Sequence, residues 1–337
     1  MRVSAGLCFE GERIWIFRRG AGRRNAHLWE FPGGKEEPGE TPADCLRREL
    51  REELSLEIAD EEVVAETDWE GIHFTFLRCR VLNAPRLSEH EDSALVTPRE
   101  LLDYGFCPAD APVARTLALN DPPLTDFFWD FDGTVMDTYP ETVVCLCHTF
   151  SLYGIQADPV QVLSLLKASL RRCVEFYAAQ AGVSEEEMTA AFRREEKNIS
   201  PVNAPPLPGI PEALKALKAR GVRHYLVTHR DALARESLRC QGLAPLFTDM
   251  ITAEDGFPRK PAPDSLLHLV QRYGLDPARC VMIGDRPLDV EAGWNAGMLG
   301  CFLDPEGRFA DHPCPLRADH ASKLPELLAP EPLMPRR

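Results

Sequence analysis

Between residues 120 and 124 the chain reads Asn-Asp-Pro-Pro-Leu. Adjacent prolines have fixed φ and donate no backbone hydrogen bond, so neither a helix nor an inner strand can run through Pro122 and Pro123. An apparent helix (112–119) precedes the break, and a very apolar run, Phe127-Phe128-Trp129, follows it. The patterning also changes there. We therefore expect two folding units, 1–120 and 126–325, joined by a stiff linker at 121–125. At 337 residues the chain is long for one core and comfortable for two. The Pro-rich stretch from about Pro325 is expected to fray.

Before the break, strand patterns at 2–9, 13–18 and 72–82 accompany one strong helix at 42–54. After it, Phe127-Phe128-Trp129, Tyr225-Leu226-Val227 and Cys280-Val281-Met282-Ile283 alternate with helices. Continuous apolar strands separated by helices imply a parallel sheet covered on both faces. Residues 140–200 read as helical throughout and interrupt the alternation, as a cap inserted at about 140–205 would. The fold class is α/β.

The net charge is −15, which disfavours a nucleic-acid polymer as partner. Small phosphorylated substrates stay open, because local Arg, Lys and metal ions overcome a negative global field. No run of about 18 apolar residues is present, so no membrane span is expected. The N-terminus reads as a strand pair and not as a signal peptide. Eleven scattered cysteines show no zinc spacing and suit reduced, buried thiols in a cytoplasmic protein.

The segment from Gly33 to Leu54 carries the first constellation. Thr41 suits an N-cap, Pro42 the first helical position and Asp44 the first turn. Leu46, Leu50 and Leu54 form a buried stripe, and Glu49, Glu52 and Glu53 gather on a neighbouring face. Clustered carboxylates repel unless a cation offsets them, and hard oxygen ligands suit Mg²⁺ or Mn²⁺. The helix alone also fits a solvated acidic face balanced by Arg47, Arg48 and Arg51. The wider spacing decides otherwise. Gly34, Glu40, Arg48-Glu49-Leu50 and Glu52-Glu53 together resemble the Nudix box. One departure is Ser55, where the family usually has glycine, so a slightly different helix exit is expected.

Leu28-Trp29-Glu30-Phe31-Pro32-Gly33-Gly34-Lys35 and Phe106-Cys107-Pro108-Ala109-Asp110 resemble the MutT-like branch. That resemblance implies an α/β/α sandwich and cleavage of a nucleoside triphosphate, oxidised 8-oxo-dGTP types included, to monophosphate and pyrophosphate. It implies metal ligation by Glu49, Glu52 and Glu53, with Glu53 also catalytic. Arg48 would orient the glutamates and Lys35 would counter phosphate charge. Asp110 would read the base, Phe31 stack on it and Arg19 reach the nucleotide. An ionised Asp only accepts hydrogen bonds, so the base identity stays open. A loop glutamate completes the family's site, for which Glu89 and Glu91 are candidates, Glu91 preferred.

The second constellation is Asp130-Phe131-Asp132-Gly133-Thr134 at the end of an apolar strand. It is followed in order by Thr228, by Lys260 before Pro261, and by Asp285 and Asp289 in Gly-Asp-x-x-x-Asp. These four motifs resemble the HAD superfamily, phosphoglycolate phosphatase-like, over about 126–305. The resemblance implies a Rossmann-like core with a small helical cap. Asp130 would be the nucleophile and Asp132 the general acid and base. Thr228 and Lys260 would hold phosphate. Mg²⁺ would sit on Asp130, Asp285 and the Asp132 backbone carbonyl, supported by Asp289. Lys167, Arg171 and Arg172 in the cap could meet an anionic substrate or simply be solvated.

The leading expectation is a two-step enzyme whose HAD half removes the last phosphate from the Nudix product. In a second reading the HAD half acts independently on phosphoglycolate or a sugar phosphate. In a third the Nudix half is a nucleotide-sensing module.

Overall fold

The computed structural model describes residues 1–199 and 203–333. The chain divides into two compact units. Residues 1–123 and 329–337 form the first, and 124–328 the second.

In the first unit, β1 (Arg2–Glu10) is the hub of a mixed seven-stranded sheet. It pairs antiparallel with β2 (Arg13–Arg19), and β2 in turn pairs with β3 (Trp29–Glu30). A short β4 (Gly33–Lys35) also lies antiparallel to β1. Helix α1 (Pro42–Leu54) then leads into β5 (Ile58–Trp69) and β6 (Ile72–Val81), and β6 runs parallel to β1. Strand β7 (His90–Val96) closes against β2, and α2 (Ala111–Asn120) ends the unit. Leu46, Leu50 and Leu54 press α1 onto one sheet face around Phe17 and Leu77. Val113, Ala114 and Ala118 of α2 cover the opposite face around Phe31 and Phe76. This is an α/β/α sandwich.

In the second unit, β8 (Asp126–Trp129) enters a cap of four helices, α3 (Tyr139–Ser151), α4 (Pro159–Ala168), α5 (Leu170–Ala181) and α6 (Glu185–Glu196). The cap has its own core, including Phe150, Tyr177 and Phe192. Three of the residues expected to finish the cap, 200–202, lie outside the described residues. The core resumes with α7 (Ile210–Ala219), β9 (Arg223–Val227), α8 (Leu233–Cys240), β10 (Phe247–Ile251) and α9 (Asp264–Tyr273). It ends with β11 (Cys280–Gly284), α10 (Pro287–Asn295), β12 (Leu299–Leu303), β13 (Arg317–Ala318) and α11 (Leu324–Leu328). The sheet order is β10-β9-β8-β11-β12-β13, and every pairing is parallel. Central strands buried on both faces explain the unbroken apolar runs.

The expectation of a fraying tail fails at 325–328 and Leu333, while 334–337 lie outside the described residues. Pro325 lies in α11, whose Leu324 and Leu328 are fully buried, and Leu333 packs on the first unit's core. Among the described residues no helix is long and apolar enough to cross a membrane.

Candidate active sites

The first site is built by the helix that the sequence marks most clearly. Thr41 caps α1, its hydroxyl accepting the Asp44 N–H at 3.2 Å. At the other end Ser55 adopts left-handed geometry (φ 50°, ψ 33°). That is the conformation a glycine C-cap takes, so the expected change of helix exit does not occur. Arg48 ties loop to helix. Its Nε donates to Glu40 Oε1 at 2.8 Å, Nη1 to Glu49 Oε1 at 2.9 Å and Nη2 to the Lys35 carbonyl at 3.0 Å. A Cβ on Gly34 would stand 2.1 Å from the Glu49 carboxyl carbon, so glycine alone permits this closure.

Glu49 and Glu53, one helical turn apart, line a cavity of about 720 Å³ with Arg19, Lys35, Phe31 and Asp110. Burial pushes Glu53 up to about 7, opposed by His90 and reinforced by the Glu89 and Glu49 carboxylates. A half-buried carboxyl on which two others weigh suits a divalent cation, although among the described residues Glu49, Glu53 and Glu89 do not each bring an oxygen within 4.8 Å of the others. Glu52, although on the same helix, is 62% exposed and meets Arg48 at 3.4 Å outside the cavity lining. It does not converge with its two neighbours.

Of the two loop candidates, the structure does not bring the preferred one to the cavity glutamates. Glu89, not Glu91, lies beside Glu53, held by an ion pair to Arg23. The cause is a register shift. Arg18 faces Asp92 while Arg19 faces His90, so Glu91 is the unpaired residue of a bulge. Its carboxylate is turned onto Arg18 and His27, at 3.0 and 2.9 Å.

Asp110, which also lines the cavity, is buried, and its Oδ1 accepts the Phe31 N–H at 3.3 Å. Burial and the nearby Glu30 carboxylate push Asp110 up to about 8, against the pull of Phe31 N–H and Arg19. At neutral pH it is therefore a neutral acid with both a donor and an acceptor, not the pure acceptor the sequence suggests. Arg19 is ion-paired to Glu30. Phe31 is only 3% exposed and packs on Phe76 and Phe106. It is a wall of the cavity and not a free stacking platform.

The second site lies where parallel strands end. Asp130 follows β8, Thr228 follows β9 and Asp285 follows β11, three neighbouring strands whose C-terminal ends open one crevice. Gly133 (φ +73°) makes the turn after Asp132; a Cβ there would meet the Tyr139 ring at 2.2 Å. Lys260 is buried between Asp130 (2.7 Å) and Asp289 (2.5 Å). Burial opposes the Asp130 charge, but Lys260 and Arg286 outweigh it and hold that carboxyl below its usual range. Asp285, which accepts the Tyr139 hydroxyl at 2.6 Å, is pushed by burial up to about 7.

Among the described residues, one acidic trio has its oxygens within 4.8 Å of one another: Asp130, Asp285 and Asp289. Asp130 Oδ2 and Asp285 Oδ1 are buried without a hydrogen-bond partner. Orphaned anionic oxygens at that spacing fit a hard dication such as Mg²⁺. The Asp132 side chain stands apart from the trio. It accepts from Thr138 Oγ1 at 2.6 Å and from Arg230 Nη2 at 2.7 Å.

A cavity of about 100 Å³ adjoins these residues, lined among others by Asp132, Tyr139, Arg193, Glu196, Arg230 and Arg286. Lys167, Arg171 and Arg172 are not part of it. Lys167 binds Glu306 at 2.5 Å and Arg171 binds Glu185 at 3.0 Å. Sequence reading passed over Arg193, Arg230 and Arg286. Arg286 had a signal, its place inside Gly-Asp-x-x-x-Asp, but Arg193 on α6 had none.

The family description "haloacid dehalogenase-like hydrolase" matches residues 127–302, and "NUDIX domain" matches residues 1–125. The CTP pyrophosphohydrolase of Escherichia coli K12 is 37% identical over 119 residues, 34% of this chain and 87% of that protein. The phosphoglycolate phosphatase of Aquifex aeolicus is 28% identical over 172 residues, 50% of this chain and 79% of that one. A solved structure described as a predicted phosphoglycolate phosphatase from Haemophilus somnus superposes with a TM-score of 0.51 at 21% identity. It covers 60% of this chain and 97% of its own, and at that identity the likeness concerns the fold.

Proposed function

The chain belongs to two hydrolase families, NUDIX in its first unit and haloacid dehalogenase-like in its second, and from that premise we propose a bifunctional Mg²⁺-dependent enzyme that cleaves a nucleoside triphosphate at one site and a small phosphate ester at the other.

For the first unit the supporting observation is the 720 Å³ cavity lined by Glu49, Glu53 and Asp110 together. That volume is in the range of sites for nucleotide-sized ligands. Asp110 reads the base edge, Lys35 counters phosphate charge and Glu53 takes a proton from the attacking water. Arg48 positions Glu49. A bound Mg²⁺, held by Glu49, Glu53 and Glu89, would neutralise charge on the phosphates. The products are a nucleoside monophosphate and pyrophosphate, the reaction class that the name of the Escherichia coli relative describes. A sensing role is less well supported, because a sensor has no need of a cavity-lining Glu53 on which the Glu89 and Glu49 carboxylates weigh.

For the second unit the supporting observation is Asp130 buried at a strand end among Lys260, Asp285 and Asp289. Asp130 attacks phosphorus, giving an aspartyl phosphate. Asp132, held by Arg230 and Thr138, protonates the leaving oxygen and later deprotonates water. Lys260 and Thr228 hold the transferring phosphoryl group. A bound Mg²⁺ would offset repulsion between that group and the three aspartates. The 100 Å³ cavity favours a small leaving group over a nucleoside, since larger ligands occupy sites of about 300 Å³ or more. This favours the independent phosphatase reading over removal of the nucleotide's last phosphate.

A phosphate-release screen of nucleotides and small phosphate esters, with and without added pyrophosphatase, tests both halves. Asp130→Asn should abolish phosphate release from the esters, and Glu53→Gln should abolish nucleotide cleavage. Ester turnover that survives Asp130→Asn, or nucleotide cleavage that survives Glu53→Gln, would refute the corresponding half.

A further inference from the structure

Four cations line the first unit's cavity: Arg19, Arg23, Arg24 and Lys35. Arg19 is committed to Glu30, a pair largely shielded from water. Arg24 pairs with Glu70, in the turn between β5 and β6. Arg23 is different. It pairs with Glu89 and stands 4.0 Å from Glu53. Of the four, it alone is held by carboxylates that a divalent cation would claim.

Arg23 belongs to the loop between β2 and β3, and the stem of that loop is closed. The Arg19 N–H donates to the Leu28 carbonyl at 3.0 Å, and the His27 N–H donates to the Arg19 carbonyl at 3.0 Å. What can change is the Arg23 side chain, which is 41% exposed against 45% for Glu89. A pair that open to solvent contributes little stability. A dication attracts the same carboxylates with twice the charge. A guanidinium and a metal ion on the same oxygens repel each other, so the two compete. A guanidinium released from Glu89 still lines the cavity, and its planar fork of donors matches phosphate oxygens.

We propose that Arg23 is a substrate-binding residue of the first unit that exchanges partners, from Glu89 and Glu53 to the phosphates of the nucleotide, as the metal ion takes those carboxylates. This rests on the pyrophosphohydrolase reading given above, and no covalent bond is made or broken in the exchange. It has two consequences of opposite sign. Arg23 weakens metal binding without nucleotide, because the ion must displace it. Arg23 strengthens nucleotide binding once the ion is in place, because its own carboxylates are then taken. Ion and nucleotide therefore bind with positive coupling, and linkage makes that coupling the same in either order. The sequence hides this role, since Arg23 and Arg24 are neighbours in Gly22-Arg23-Arg24-Asn25 and only the fold gives them different partners.

The test uses the full-length protein carrying Asp285→Asn, which dismantles the second unit's acidic trio so that the ion counted is the first unit's. Mn²⁺ binding is titrated by electron paramagnetic resonance. Binding of the α,β-methylene analogues of the common nucleoside triphosphates, which resist cleavage, is measured by calorimetry at saturating Mg²⁺. Arg23→Gln should tighten Mn²⁺ binding without nucleotide by about three- to tenfold, and weaken analogue binding by about ten- to a hundredfold. Arg24→Gln removes the same charge from the adjacent position and should leave Mn²⁺ affinity within about twofold. Unchanged or weaker Mn²⁺ binding in Arg23→Gln would overturn the exchange, and so would unchanged analogue binding. Equal tightening of Mn²⁺ in Arg24→Gln would reduce the effect to net charge and overturn it as well. Protein with Arg23 intact that binds none of the analogues would instead overturn the pyrophosphohydrolase reading.

Discussion

Single residues carry much of what is specific to this chain. Ser55 accepts a left-handed backbone that costs an ordinary L-residue on the order of 1–2 kcal/mol, in order to end α1 where Glu53 is needed. Ser55→Gly should therefore raise the first unit's stability by about 0.5–1 kcal/mol, after the entropic cost of glycine, and be visible in urea unfolding. An unchanged or lowered midpoint would contradict this account. Asp110 makes a second case. Its pKa, about 8 in the folded state, is raised above the ordinary unfolded value of about 4. The folded chain thus binds the proton more tightly. Stability is full at acid pH and is lost as pH rises between those two values, by at most about 1.4 kcal/mol per unit. Asp110→Asn should flatten the fall in denaturation midpoint between pH 5 and pH 8. No such residue-level behaviour is legible in the sequence, which names Asp110 as a candidate but shows neither its burial nor the neighbouring Glu30, which together keep it neutral.

Elements were legible in proportion to how regular their patterning is. Helix α1 reads directly, because its cap, Pro42, leucine stripe and glutamates agree on one register. The three central strands β8, β9 and β11 read directly because both faces are buried. Strand β5 did not, since its pairing shifts twice, between Ala59 and Glu62 and between Val63 and Ala65, which destroys the period-2 alternation. The bulge in β7 is also why Glu89, and not the preferred Glu91, lies beside Glu53. Sequence alternation carries no information about an unpaired residue. The loop β4 and helix α1 behave as one device, closed by Arg48 and permitted by Gly34. Gly34→Ala would drive a methyl group into the Glu49 carboxylate. We expect nucleotide cleavage to fall by about a hundredfold, while the unit stays folded by circular dichroism. Activity within a few-fold of wild type would mean that the Glu49 position is not critical.

At the scale of the whole molecule, two hydrolases of unequal cavity size share one chain. The first cavity measures about 720 Å³, and the one that adjoins the second unit's aspartates about 100 Å³. A pathway in which the nucleoside moved on to the second site would require that site to admit a nucleoside. A second unit that took the small fragment instead would act on pyrophosphate. Removing pyrophosphate would also draw the first reaction forward, because its hydrolysis to phosphate takes away a product by mass action. The expected signature appears when a nucleoside triphosphate is the only substrate supplied. Wild-type protein should accumulate monophosphate together with inorganic phosphate, two phosphates for each nucleotide cleaved. Asp130→Asn should accumulate monophosphate and intact pyrophosphate in equal amounts, with the first reaction still running. Phosphorus NMR of the mixture distinguishes the two directly. If wild type and Asp130→Asn leave the same pyrophosphate, the second unit has another substrate and the fusion joins two unconnected reactions.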